Sequence, residues 1–223
     1  MNLAGGASFE KLKKAAIASL KNPGGKKKPL PKQAGARIYL FRHTQTYDNI
    51  RKIFSGRRNS RLTVVGLKQA GVLAEKLKNK KIDLFIISPL IRCWQTVKPV
   101  KKDYPLAKLY REPLLLERDY GKLTGKNKEK LMREDFEKAV LYRRSYDFPP
   151  PDGESLKAVK NKRVFPFCQK LVLELRKEEK TVAICCTNNT MRLIRMFFEK
   201  LTIEQMLTLE NPFGDYAAYQ CLE

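Results

Sequence analysis

Short apolar runs alternate with helix-period segments from residue 37 to the end of this 223-residue chain. That alternation restricts the fold more than any other feature. Residues 37–41, 84–87 and 181–186 (Arg-Ile-Tyr-Leu-Phe, Leu-Phe-Ile-Ile and Thr-Val-Ala-Ile-Cys-Cys) read as strands, the last of them buried on both faces. Residues 107–110 and 216–221 are weaker candidates of the same kind. Between them lie segments of helical length: 63–78, opened by a threonine after Leu62, then 92–100, 126–144, 155–177 and 191–200. Pro166 predicts a kink in the 155–177 helix. Strand and helix in turn predict an α/β fold, a three-layer sandwich whose mostly parallel sheet carries helices on both faces. The length suits one full core domain, and no run of eighteen apolar residues predicts a membrane-spanning helix.

An open α/β sheet exposes its chemistry at the carboxyl ends of its strands. The first run ends there in Arg42-His43-Thr44, and His43 is the one histidine of the chain. Arginine beside histidine sets a permanent phosphate-gripping fork next to a nucleophile candidate. A lone histidine is more often a packed or surface imidazole. Here other segments bring basic and polar groups to the same edge. Ser88-Pro89-Leu90-Ile91-Arg92 follows the second strand, and Glu117-Arg118-Asp119-Tyr120-Gly121 adds a carboxylate and another arginine. Arg143-Arg144 precedes the stiff run Phe148-Pro149-Pro150-Pro151. Asn188-Asn189-Thr190 follows the 181–186 strand, where the amides of a helix N-terminus can hold an anion.

Forty-six basic against twenty-three acidic residues give a formal charge of +23, a field that attracts nucleic acid, anionic membrane or phosphorylated metabolites. Dispersed lysines also fit an ordinary solvated surface. Cys93, Cys168, Cys185, Cys186 and Cys221 lack metal-ligand spacing and read as reduced thiols of an intracellular, cytoplasmic protein. With one histidine and no cysteine cluster, no metal site is expected. Residues 1–36 hold eight lysines and one acid, Glu10. Ser8 to Leu20 has helical spacing, with Phe9, Leu12, Ala16 and Leu20 on one face, and Asn22-Pro23-Gly24-Gly25 interrupts it. The expectation is a basic, flexible extension over 1–36 that joins no core and binds polyanions weakly, followed by a folded domain over 37–223.

These segments resemble, in order, the histidine phosphatase superfamily, and within it the cofactor-dependent phosphoglycerate mutases. Arg42-His43-Thr44 is similar to the family's Arg-His-Gly signature, and Leu62-Thr63 with Gly66, Gln69 and Ala70 to its helix opening. Ser88-Pro89-Leu90-Ile91-Arg92 with Gln95-Thr96 resembles the second arginine motif. Glu117-Arg118-Asp119-Tyr120-Gly121-Lys122-Leu123-Thr124-Gly125 resembles a mutase block, and Arg143-Arg144-Ser145-Tyr146-Asp147 with its prolines a mutase lid. The resemblance runs from about residue 37 to 223 and implies a phosphoglycerate mutase-like domain.

The resemblance also implies roles. His43 is the nucleophile that becomes phosphohistidine, Arg42 and Arg92 clamp the phosphoryl oxygens, and Glu117 moves the substrate proton. Thr46, Asn49, Ser55, Gly56, Asn188 and Asn189 line the phosphate site. Arg118, Tyr120, Lys128, Arg143 and Arg144 hold the glycerate carboxylate and distal phosphate. Phosphorylated three-carbon acids are the implied substrates, 2,3-bisphosphoglycerate the implied priming donor, and a homodimer or higher oligomer an expected state. The chain departs from the pattern where the second catalytic histidine is expected, in Thr187-Asn188-Asn189-Thr190-Met191-Arg192. Thr187 stands in that position; it donates a hydrogen bond but carries no charge. Asp119 likewise replaces a mutase histidine. Three readings stay open: a mutase or related phosphatase of reduced activity, a pseudoenzyme that binds phosphoglycerates, and a basic polyanion-binding protein on a reused fold. The intact set His43, Arg42, Arg92 and Glu117 favours the first two.

Overall fold

The computed structural model of the chain describes residues 8–24 and 29–221. In chain order the elements are α1 (Phe9–Lys21), β1 (Ile38–Arg42), α2 (Tyr47–Ile50), α3 (Val64–Leu77), β2 (Leu84–Ile87), α4 (Ile91–Lys101) and β3 (Lys108–Arg111). There follow α5 (Lys128–Glu134), α6 (Phe136–Arg144), α7 (Leu156–Val159), α8 (Phe165–Lys177), β4 (Val182–Cys186), α9 (Asn188–Glu199), α10 (Ile203–Thr208) and β5 (Tyr216–Tyr219). The strands form one sheet in the order β3-β2-β4-β1-β5. Pairing is parallel except for the β1–β5 edge.

Both faces of the sheet are covered, as expected. Ile38, Leu40, Val182, Ile184 and Cys186 alternate into one core with residues of α7 to α10. Tyr39, Phe41, Ala183 and Cys185 alternate into the other, against α3 and α4. The strand runs were continuous rather than alternating because both faces are buried.

Two long helices expected from periodicity are each divided. Residues 126–144 form α5 and α6, parted at Asp135, whose side chain accepts from the Lys138 amide at 3.0 Å and so caps α6. Residues 155–177 form α7, a π-turn over Lys160–Val164, and α8. Pro166 follows the π-turn directly, at the start of α8, and the backbone stays helical through it. The short helices α2 and α10 were not foreseen; each is closed by a capping box, Thr46 with Asn49 and Thr202 with Gln205.

The N-terminal segment differs from the expected flexible extension. Residues 9–21 are helical as their spacing predicts, but α1 packs on α6 and α10. Leu12 is 1% exposed and Ala16 0%, and both belong to the core cluster on that face of the sheet, as does Leu30. Lys11 pairs with Glu204 at 2.5 Å. The apolar stripe of a basic helix has thus found a partner face, and its lysines stay in solvent. Among the described residues no helix is long and apolar enough to cross a membrane, and no three potential metal ligands cluster.

A docked α1 makes Leu12 a core residue. Leu12→Ala should lower the urea-unfolding free energy by about 2–5 kcal/mol, the cost of truncating a buried leucine. A loose extension gives a change near zero.

Candidate active site

Register builds the centre of the site. Arg42 lies opposite Cys186 in the parallel β1–β4 pair, so His43 and Thr187 leave the sheet side by side, with the His43 amide on the Cys186 carbonyl at 3.0 Å. β2 ends beside them and leads through Ser88 into α4, which carries Arg92. Contacts from α3 and α4 then fix the loop after His43. The Thr44 amide donates to Thr96 Oγ1 at 3.0 Å, and that hydroxyl donates to the Arg92 carbonyl. Gln69 accepts from the Gln45 amide and Gln95 from the Leu62 amide. Gly66 allows the close approach of α3, since a Cβ there would sit 2.0 Å from the Gln45 carbonyl oxygen.

His43 is buried, and its Nδ1 lies 2.8 Å from its neighbour's carbonyl, Thr44 O. A carbonyl only accepts, so Nδ1 carries the proton and Nε2 keeps its lone pair. Burial, then Arg92 and Arg42, hold the imidazole well below the usual histidine range. The ring is therefore neutral.

The cavity in front of it, of about 100 Å³, is lined by Arg42, Arg92, Arg143, Arg144, Arg192 and Lys128 against two carboxylates, Glu117 and Glu210. Arg92 donates through Nη1 to the Arg58 carbonyl (2.6 Å) and through Nη2 to the Gly56 carbonyl (2.8 Å). Arg42 Nη1 donates to the carbonyls of Pro23 (2.7 Å) and Asn211 (3.2 Å). The Nε of each arginine is buried with no hydrogen-bond partner among the described residues. A buried donor without an acceptor costs about 1–3 kcal/mol, and an oxyanion between the two arginines would relieve it. Burial lowers Arg42 to about 10, with Glu210 and Glu117 opposing the shift. Burial followed by Arg143 and Arg42 lowers Lys128 to about 7.

Glu117 Oε1 accepts from the Arg118 amide at 2.7 Å, and Oε2 lies 3.5 Å from the Asn189 amide at the start of α9. Asn189 Nδ2 donates to Tyr120 Oη, and Arg192 Nη1 donates to Asn189 Oδ1. Glu210 bridges Arg144 and Arg192, the latter at 2.7 Å, and accepts from Asn188. Burial pushes the Glu210 carboxyl up, but Arg192, Arg144 and Arg42 outweigh it and hold it at about 2.

The structure brings together on this cavity His43, Arg42, Arg92, Glu117, Asn49, Ser55, Gly56, Tyr120, Lys128, Arg143, Arg144, Asn188 and Asn189. Three expected residues do not line it. Thr46 caps α2. Arg118 is fully buried with its guanidinium 4.6 Å from the Tyr120 ring centre, and it donates to the Tyr142 carbonyl. Thr187 lies beside His43 in sequence register, but its hydroxyl is 3.0 Å from Thr190 Oγ1, which donates to the Leu116 carbonyl. Ser19, Pro23, Arg192 and Glu210 line the cavity and were not foreseen. Arg192 had a signal in its block, whereas Glu210 sits in the plain run Leu209-Glu210-Asn211-Pro212.

A neutral histidine at a sheet's carboxyl edge, clamped by two buried arginines with a carboxylate close by, defines a phosphoryl-handling site on an α/β sandwich. Residues 38–223 match the histidine phosphatase superfamily, branch 1, and the chain belongs to that family. It is 31% identical over 213 residues to the 2,3-bisphosphoglycerate-dependent phosphoglycerate mutase of Chlamydia muridarum, covering 83% of this chain and 94% of that one. It is 35% identical over 182 residues to the Brucella melitensis protein of the same name, covering 79% and 88%. Among solved structures, the α-ribazole phosphatase of Shigella flexneri superposes with a TM-score of 0.71 at 26% identity, over 81% of this chain and 88% of that one. A mycobacterial glucosyl-3-phosphoglycerate phosphatase shares the fold, with a TM-score of 0.70 at 18% identity over 82% and 96%.

Two titrations test the electrostatics. Below about pH 6.5 the unfolded chain takes up a histidine proton that the folded chain refuses, so stability present at higher pH is lost as pH falls toward the depressed folded value. His43 is the single histidine, so His43→Gln should remove a slope approaching ~1.4 kcal/mol per pH unit, read from urea unfolding between pH 7.5 and 5.

Lys128, at about 7, is charged below neutrality. Sulfate, whose own charge is constant in this range, should therefore bind more weakly as pH rises from 6.5 to 8.5. Lys128→Gln should bind sulfate more weakly at pH 6.5 and show a flattened pH profile by calorimetry.

Proposed function

We propose that the chain transfers phosphoryl groups through a phosphohistidine at His43, as a phosphoglycerate mutase-like enzyme interconverting 3- and 2-phosphoglycerate with reduced activity. The observation that carries this reading is the pair of buried, unpartnered Nε donors on Arg42 and Arg92 beside a neutral imidazole. His43 Nε2 attacks phosphorus, the P–O bond to the substrate oxygen breaks, and the phosphoryl group is left on the ring. The two guanidinium groups offset charge on the equatorial oxygens. Glu117 gives its proton to the departing oxygen and takes one back from the next acceptor. In a mutase that acceptor is a phosphoglycerate hydroxyl, and 2,3-bisphosphoglycerate primes the histidine, in keeping with the names of the curated relatives.

A second reading, a small-molecule phosphatase whose acceptor is water, is favoured by Arg144 and Arg192. Both are engaged by Glu210 rather than open to a second anionic group on the substrate. A third, a pseudoenzyme that only binds, draws on Thr187, which brings no charge to the cavity. A coupled mutase assay primed with 2,3-bisphosphoglycerate, run beside phosphate release and phosphohistidine detection, separates the three. No phosphohistidine with phosphoglycerate still bound leaves the binding reading alone.

If a second histidine is what the site lacks, Thr187→His should raise the phosphoryl-transfer rate about 10²-fold, the scale of one preorganised donor. The same measurement on Thr187→His with Asn188→Gly tests whether the Asn188 side chain, held by Glu210 and Asn211, hinders transfer. A wild-type rate that neither variant improves would show that the site works without that histidine.

A further inference from the structure

The phosphoryl-transfer reading leaves one arrangement unused: much of the cationic rim is already paired, with partners from outside the catalytic strands. Arg42 donates to the Pro23 carbonyl at 2.7 Å and Arg144 to the Ala15 carbonyl at 3.0 Å. Arg143 donates to Ser19 Oγ at 2.7 Å and Lys52 to the Leu20 carbonyl at 2.5 Å. Four cations of the domain thus converge on the second half of α1 and the turn after it. A helix C-terminus presents open carbonyls and partial negative charge, so it imitates an anion there. Glu210 completes the imitation with a true carboxylate on Arg144 and Arg192. The result is that both Nη atoms of Arg143 and of Arg144 have partners: Met132 Sδ and Ser19 for the one, the Leu207 and Ala15 carbonyls and Glu210 for the other. Ser19 and Pro23 stand in the same cavity wall as His43. The cavity of about 100 Å³ is small beside the roughly 300–1,000 Å³ of ordinary small-molecule sites.

We propose that α1 and the Pro23 turn are an intramolecular cap which, with Glu210, fills the distal anion subsite and so sets specificity. The capped chain accepts one tetrahedral oxyanion between Arg42 and Arg92. A ligand with a second anionic group binds only as the cap lifts and frees Arg143 and Arg144. This rests on the phosphate site proposed above. The cap is held by Leu12 and Ala16, and a helix of thirteen residues has little stability without such packing, so release costs the helix its order.

The test uses the full chain, with inorganic phosphate and 3-phosphoglycerate as probes. Calorimetry reports binding, and amide hydrogen exchange reports α1. Saturating 3-phosphoglycerate should speed exchange in α1 by about tenfold or more, because it shifts the population to the uncapped form. Inorganic phosphate should bind and leave α1 protected. Leu12→Asp, which loosens the cap away from the cavity, should tighten 3-phosphoglycerate binding by about tenfold by removing the closed population, with a smaller change for inorganic phosphate. Should that variant not fold, the wild-type exchange result decides alone. Exchange in α1 that is unchanged or slower with 3-phosphoglycerate bound, or equally faster with inorganic phosphate, overturns the cap and leaves the phosphate site standing. Failure of both anions to bind overturns the phosphate site and the cap with it.

Discussion

Six cations crowd one small cavity with two carboxylates, and much of the surrounding structure answers that crowding. Like charges withdrawn from water repel strongly and are stable only where oxygen atoms surround them. The molecule supplies these as backbone carbonyls, from Pro23 and Asn211 to Arg42, from Gly56 and Arg58 to Arg92, and from Leu207 and Ala15 to Arg144. Glu210 adds the one carboxylate that touches two of the arginines. His43 answers the same field by staying neutral, which is the state a phosphorus nucleophile needs.

The placement of that centre follows from parallel pairing. In a parallel sheet all strands deliver their carboxyl ends to one edge, so β1, β2 and β4 bring His43, the turn before Arg92, and Thr187 to the same place. Family membership accounts for this frame. The outer half of the cavity is built otherwise, from α1, the loop after α10 and α6, and it is there that a phosphoglycerate and a simple phosphate would be told apart.

The basic N-terminal segment docks through its backbone and apolar stripe more than through its charge. The lysines of α1 stay at the surface, while its carbonyls, not its charges, meet Lys52 and Arg144. A positively charged segment can dock on a positively charged cavity because helix dipole and apolar stripe act at shorter range than screened surface lysines.

The sequence alone determined the α/β class, the strand ends that lead to His43, Arg92 and Asn189, and the membership of most of the cavity wall. These follow from local period and from short motifs whose chemistry is carried by neighbours in the chain. The helix division at Asp135 was decided by a side-chain cap, and the π-turn falls directly before Pro166, whose ring cannot donate a backbone hydrogen bond; both are local effects that compete with periodicity over a few residues. Three assignments needed the tertiary structure. Thr187 shares a register position with His43 but turns its hydroxyl to Thr190. Arg118 lies under Tyr120 rather than in the cavity. Ala15 and Glu210, far apart in sequence and plain in composition, meet on Arg144, while Leu12 and Ala16 join the core beneath α1. The physical reason is one: a side chain's direction and its long-range partner are set by packing between distant segments, and no period or motif in the chain encodes which carbonyl will satisfy a buried arginine.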